Sequence, residues 1–270
     1  MLFAGFWRKT VGTARLAILT QLEYRLNLFT DSILQPIVAA GIEVTLWWAI
    51  FKGSGLTTIG GFTADYYLAY ALWAAFFARF TISWMYEYMM IDEIDSGRIN
   101  AILTRPISFY EFYFGQFFGY KLITTAPSLL VPMVAVLFID SPTDMSRIPL
   151  ATALAVYYLV LVHTMSFAVA SLAFFYNRIH SLPFAKNIIL WVVTGELFPL
   201  DLLPGSLRDI LIMLPFSAGA YLPVGYITGR FGTDLIWNGF ISVTIGIVFF
   251  GIIGSLLWSS GRRAYSGTGT

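Results

Sequence analysis

Six apolar stretches, at roughly 31–52, 64–88, 111–139, 148–174, 184–203 and 235–258, dominate this chain. A bilayer core needs about 20 mostly apolar residues per helix, and each stretch reaches that length. The pattern predicts an all-α integral membrane protein with six transmembrane helices. Composition agrees. Charged residues are 11% and apolar residues 58% of the 270 positions, whereas soluble proteins carry about 25% charged residues. In water, such a chain would leave large apolar patches exposed. The formal net charge of +1 and the lack of a basic stripe argue against a nucleic-acid partner. Zero cysteines exclude disulfides, thiolate metal sites and cysteine nucleophiles.

The first 25 residues read differently. Phe3, Phe6, Trp7, Val11, Ala14 and Ile18 recur at helical spacing, with Arg8, Lys9, Arg15, Glu23 and Arg25 between them. That pattern predicts an amphipathic helix over 1–25 lying along the membrane interface. The segment is too polar for a signal h-region and no small-x-small cleavage site follows, so it is expected to remain in the mature chain. Lys and Arg in the short loops give the orientation. With the amino terminus inside, ten fall on the cytoplasmic side and four outside (Lys52, Arg147, Arg208 and Arg230). Both termini are then cytoplasmic, in a multi-pass protein expected in the inner (cytoplasmic) membrane.

Two non-spanning stretches carry further information. In the loop at 91–106, Gly97 is placed to end the second helix in a left-handed conformation. Pro106 forbids helix past Arg105. One short helix is expected between them, with Ile99, Ile102 and Leu103 on one face, and so small an apolar face calls for a partner protein. The outer segment 198–231 has Pro199, Pro204, Pro215 and Pro223 spaced along apolar sequence. Broken helices dipping in from the outer face fit it best, since irregular backbone at membrane depth needs protein or a wet cavity around it.

These two stretches resemble the permease subunits of type-2 ATP-binding-cassette (ABC) exporters. The family's loop has the form E-I-x-x-G-x-I/L, an apolar pair, then R-P-I/L-S. Here it reads Glu93-Ile94-Asp95-Ser96-Gly97-Arg98-Ile99, then Ile102-Leu103, then Arg105-Pro106-Ile107-Ser108. The run Pro-Leu-Asp-Leu-Leu-Pro at 199–204 and Leu214-Pro215-Phe216 look like the family's re-entrant outer hairpin. The resemblance covers almost the whole chain, 1–270 as one permease domain, and is nearest the small drug- or viologen-exporter-like permeases. It implies that Ile99–Leu103 is a coupling helix docking on a separate ATPase, with Glu93, Gly97, Arg98 and Arg105–Pro106 framing it. It also implies a second permease, identical or homologous, and two ATPase subunits that carry ATP and Mg. This chain has no G-x-x-x-x-G-K-[ST] and no Gly-Lys dipeptide, so it has no phosphate-cradling loop and no cofactor of its own is expected. No metal cluster or catalytic set is legible around His163 and His180.

Ionisable residues inside the spans form the second candidate set. At ~1.5 Å per residue, Glu43 lies roughly 18 Å from the cytoplasmic end of its span, Arg79 about 13 Å, and Lys121 and Glu196 about 15 Å. Buried charges are costly, so two acids and two bases at similar depth are expected to neutralise one another or to line a substrate path. His163 reads as a hydrogen-bonded packing residue. Aromatics crowding spans one and two would anchor the chain at the interface or stack on flat amphipathic substrates. Gly115-Gln116-Phe117-Phe118-Gly119 permits a close helix approach. Two rival functions remain open: an ion-coupled secondary transporter using the intramembrane charges, and a membrane-embedded enzyme.

Overall fold

The computed structural model describes residues 2–139 and 141–265. Helix α1 (Leu2–Glu23) is followed by α2 (Arg25–Ser54), which contains a π-helical turn at Thr30–Leu34. A two-stranded hairpin, β1 (Thr58–Ile59) and β2 (Phe62–Thr63), leads into α3 (Ala64–Thr81) and α4 (Trp84–Asp95). Then come the single turn α5 (Asn100–Leu103), α6 (Phe109–Ala135), α7 (Ile148–Ala170) and α8 (Ser181–Val193). Two short helices, α9 (Gly205–Met213) and α10 (Tyr221–Ile227), precede α11 (Thr233–Ala264).

Five helical rods are long and apolar enough to cross a membrane: Arg25–Ser54, Ala64–Asp95, Phe109–Ala135, Met145–Phe174 and Thr233–Ala264. The expected span at 184–203 is not a full-length helix. Its helix stops at Val193, and Gly195 takes φ +78°, a turn that a side chain would strain. Thirteen helical residues reach ~20 Å, short of a ~30 Å hydrocarbon core. Tyr70 Oη holds the turn by donating to the Gly195 carbonyl at 2.5 Å.

The second rod is the hub. From Ala69 to Thr81 every residue is buried, including the large side chains of Tyr70, Trp73 and Phe77. A helix apolar on all sides belongs inside a bundle. It packs against α7 and α10, and residues 217–227 of the outer segment are likewise buried without interruption. By contrast α2 and α11 turn mostly exposed apolar faces outward, as Ile42, Leu46, Ile245 and Ile252 show. The outer segment is a chain of broken helices, as its prolines predict. Arg147 ties it down, donating to the carbonyls of Tyr226 at 3.0 Å and Phe231 at 3.1 Å. Outside the spans, the hydroxyl and amide of Ser146, with Arg147 adjacent, hold the Asp144 carboxyl below the ordinary range.

The second rod is not one helix. Ile82 (ψ 119°) and Ser83 (φ −137°) leave the helical region, so α3 and α4 are separate pieces. No proline or glycine marks this break.

Helix α1 does form, and it lies tightly against α6. The G-x-x-x-G at 115–119 makes this contact: a Cβ on Gly115 would overlap Thr13 and the Thr10 carbonyl, and one on Gly119 would overlap the Ala14 carbonyl. The Phe6 and Phe114 rings continue the seam at 6.1 Å. The side chain of Phe3 lies outside the described residues. Gly119→Val is expected to force the helices apart, with an overpacking cost of about 1–3 kcal/mol. Gly12 meets nothing within 4 Å, so Gly12→Ala should not lower stability and should raise it slightly, by about 0.5–1 kcal/mol, the gain of alanine over glycine in a helix interior. Thermal aggregation monitored by size-exclusion in detergent would separate the two, and equal melting of both variants would contradict the seam.

Candidate functional site

The turn between α4 and α6 is built by three local devices. Gly97 takes φ +74°, and the Ile99 amide reaches back to the Glu93 carbonyl at 2.9 Å, closing α4. Asn100–Leu103 then makes one helical turn. Beyond Pro106, Ser108 caps α6 reciprocally: its Oγ accepts from the Glu111 amide at 3.1 Å, and Glu111 Oε2 accepts from the Ser108 amide at 2.8 Å. This capping box is the physical content of the Arg-Pro-Ile-Ser run, because it starts a long helix immediately after a proline.

The three apolar residues of the short helix do not share one face. Ile99 is fully buried and Ile102 is 5% exposed, both in the core with Phe109 and Tyr113, whereas Leu103 is 38% exposed. The reason is the tightness of the turn: closing α4 onto α6 brings Ile99 and Ile102 over the bundle end. Leu103 is left as the apolar knob. On the same turn an open groove of about 480 Å³ is lined by Glu93, Arg98, Ala101, Ile102, Arg105 and Phe112. Arg98 Nε stands 3.6 Å from Glu93 Oε1, exposed enough that the pair orients more than it stabilises. The neighbouring loop after α7 is clamped to α4 by His180 Nε2 and Asp92 Oδ1 at 2.8 Å.

Glu196 lies within electrostatic reach of both Arg79 and Lys121, as expected, but without a direct ion pair, and Glu43 faces neither cation. Among the described residues none of these four is in an ion pair within 4.0 Å. Arg79 Nη1 donates to Gln35 Oε1. Gln35 lies eight residues below Glu43 on α2, ~12 Å along the axis, so the acid sits at another level. Lys121 Nζ donates to the Arg79 carbonyl. Glu196 Oε2 accepts from Thr81 Oγ1 at 2.6 Å. Glu43 is half-buried on α2. Helical rise set Glu196 at the level of the two cations but could not show that Glu43, on α2, stands at another level.

A different buried pair is present. Glu87, fully buried in α4, is bonded to Lys186 Nζ of α8 and accepts from Ser166 Oγ of α7. Ser83 Oγ donates to it at 3.0 Å and Asn187 Nδ2 at 3.3 Å. The cluster joins α4, α7 and α8 directly below the break in the second rod. The signal in the sequence was weak: Lys186 counts as a loop cation and Glu87 as a span end until α8 is known to begin at Ser181. His163 packs among the rings of Tyr110, Phe114 and Phe117, with Nε2 3.2 Å from the Tyr110 carbonyl oxygen.

A family model described as ABC-2 family transporter protein matches residues 37–269, which include the turn, both parts of the broken rod and the outer segment. The chain belongs to the ABC-2 transporter family. It is a multi-pass membrane permease of an ABC transport system, and membership of this family implies an ATPase partner. The chain matches none of the curated proteins with which it was compared.

For this ABC-2 permease the Glu87 cluster yields a stability test. Glu87→Gln strands the Lys186 ammonium, and breaking a buried pair costs about 3–5 kcal/mol. Glu87→Gln with Lys186→Met removes both charges and should recover much of that loss. A double-mutant cycle on the monodisperse fraction after mild heating reads the coupling. Strict additivity would show that the pair contributes nothing as a pair.

Proposed function

We propose that this chain is one half of an exporter: two such permeases and two separate ATPase subunits, with an amphipathic or drug-like substrate leaving through the permease interface. In this reading six segments cross the inner membrane, with the 13-residue α8 and the buried outer segment together completing the fifth crossing. Residues 198–231 form a re-entrant hairpin, and both termini face the cytosol. The loop at 91–106 is the cytosolic docking element, through which ATPase closure reaches the spans. Residues 1–270 act as one permease unit.

The observation that carries this reading is the build of the turn. Glycine closure on one side and a capping box on the other hold a one-turn helix rigidly at the bundle end, with Leu103 as an exposed apolar knob and, on the same turn, a groove bordered by Glu93, Arg98, Ile102 and Arg105. An apolar anchor with a charged rim is the usual anatomy of a protein docking site. Ile99 and Ile102 serve it from inside: they belong to the same buried core as Phe109 and Tyr113, through which movement of the helix would reach α4 and α6.

Leu103→Asp places a carboxylate where an ATPase groove would be apolar, while leaving the spans untouched. It is expected to abolish co-purification of the cognate ATPase and substrate efflux, with normal yield of the permease. Normal co-purification and transport by that variant would refute the docking role. Since the chain lacks a phosphate-cradling loop, the purified permease alone should show no ATP hydrolysis. Vanadate-sensitive turnover by the lone polypeptide would overturn the division of labour.

A further inference from the structure

Helix α1 meets the bundle on one face and leaves the other without a partner. The face against α6 carries small and polar residues: Thr10 and Ala17 are buried, and Thr13 and Ala14 are the ones that Gly115 and Gly119 admit. Most large apolar side chains of α1 are turned the other way. Trp7 is 67% exposed, Leu16 54%, Leu19 53%, Val11 49% and Leu22 44%. Arg8 and Arg15 are exposed as well. At about 100° per residue, positions seven apart fall on one strip of a helix. On this count the strip of Arg8 and Arg15 runs between Val11 and Leu22 on one side and Leu19 on the other.

The protein does not answer these cations. Among the described residues Arg8, Lys9, Arg15 and Arg25 are in no ion pair within 4.0 Å, and neither is Glu23, the one carboxylate of this region. The position of α1 in the bundle is fixed at both ends. Phe6 meets Phe114 and Ala14 meets Gly119, while Arg25 opens α2 less than two turns before Asp31, which accepts from Tyr120 Oη at 3.0 Å. Helix α1 therefore stays beside the first turns of α6, at the end of the bundle that carries the turn at 91–106.

A face of this composition suits neither water nor hydrocarbon alone. In water Trp7, Val11, Leu19 and Leu22 would form an exposed apolar patch. In hydrocarbon two guanidinium groups would go unsolvated. The face suits the headgroup boundary, where apolar side chains enter the acyl region and each guanidinium meets a phosphate through two parallel hydrogen bonds. A zwitterionic lipid offsets its phosphate with its own ammonium group, whereas an anionic one does not. Four cations against one carboxylate therefore select the anionic lipid. We propose that the outward face of α1 is a docking surface for anionic phospholipid headgroups, with Arg8 and Arg15 as the phosphate-binding residues and Trp7, Val11, Leu19 and Leu22 as the membrane contact. The seam at Gly115 and Gly119 ties this contact to α6. The proposal depends neither on the direction of transport nor on ATPase docking.

The test uses the purified full-length permease in lipid nanodiscs. The chain has no native cysteine, so Leu19→Cys, one turn beyond Arg15, accepts a single bimane label. The discs contain one fixed mixture of phosphatidylglycerol and phosphatidylcholine, and either lipid carries brominated acyl chains that quench the label in proportion to its local concentration. Phosphatidylglycerol is expected to be enriched at the label by about fivefold or more, the factor that one cation near an anionic surface supplies. Arg8→Gln with Arg15→Gln should equalise the two lipids. Arg8→Lys with Arg15→Lys keeps the charges, guards against a folding defect and should retain most of the preference. A label at Ile245→Cys, on the exposed apolar face of α11, should be quenched equally by both lipids. Equal quenching by both lipids at position 19 would overturn the headgroup preference. Quenching by neither would overturn the lipid contact and leave the face to a protein partner. A preference that survives in folded Arg8→Gln with Arg15→Gln, or that is as large at position 245, would overturn the assignment to these arginines.

Discussion

A helix cannot break inside a membrane-spanning bundle without partners for the backbone groups it frees. The break at Ile82–Ser83 is the constraint around which the rest of this permease is arranged. Lys121 answers the last turn of α3, and Tyr70 and Thr81 carry that helix across to the turn and acid at Gly195 and Glu196. Below the break, Ser83, Glu87, Ser166, Lys186 and Asn187 knit α4 to α7 and α8. Arg79 and Glu87 thus lie within a few residues of one discontinuity, and Lys121, Lys186 and Glu196 bond to residues on either side of it.

The break also divides the bundle mechanically. Above it α3 is clasped on all sides and acts as a fixed core post. Below it α4 is a short lever. It ends at Gly97 and is followed by the one-turn helix, whose inner residues Ile99 and Ile102 join the same core as Phe109 and Tyr113 of α6. In the proposed docking role, a push on that small helix would be delivered to α4 and to the start of α6 together. A cavity lined by Asp31, Arg79, Ser83 and Lys121 lies at the upper end of α4. The proposed docking turn and this cavity are thus at opposite ends of a 12-residue helix, a layout that would suit coupling a partner's motion to the interior.

How much of this could be read from the residues alone varies with the kind of signal. Gly97, Pro106 and the Arg-Pro-Ile-Ser run announce a turn by their own backbone chemistry, and that turn is present. Gly115 and Gly119 announce a close approach, though not that α1 would be the helix approaching. Pro199 and its fellows announce broken helices, and residues 200–227 form them. Apolar length placed five rods correctly and overran the sixth, because Gly195 ends α8 inside a stretch whose hydropathy continues. The break itself is hidden: Ile82 and Ser83 are ordinary residues, held out of the helix by tertiary partners. Charge partners were equally hidden, since helical rise gives depth without azimuth. Burial of Ile99 and Ile102 depended on how tightly the loop closes, which no periodicity within one helical turn can express.

The central claim is that the turn between α4 and α6 presents Leu103 to an ATPase while Ile102 faces inward. The chain has no native cysteine, so single cysteines can be read without background. Inside-out vesicles carrying Leu103→Cys or Ile102→Cys would be treated with a membrane-impermeant maleimide, with and without the cognate ATPase. The expected result is rapid labelling at 103, protection of 103 by the bound ATPase, and little labelling at 102 in either state. Labelling at 103 that the bound ATPase leaves unchanged, or a position 102 as reactive as 103, would contradict the account.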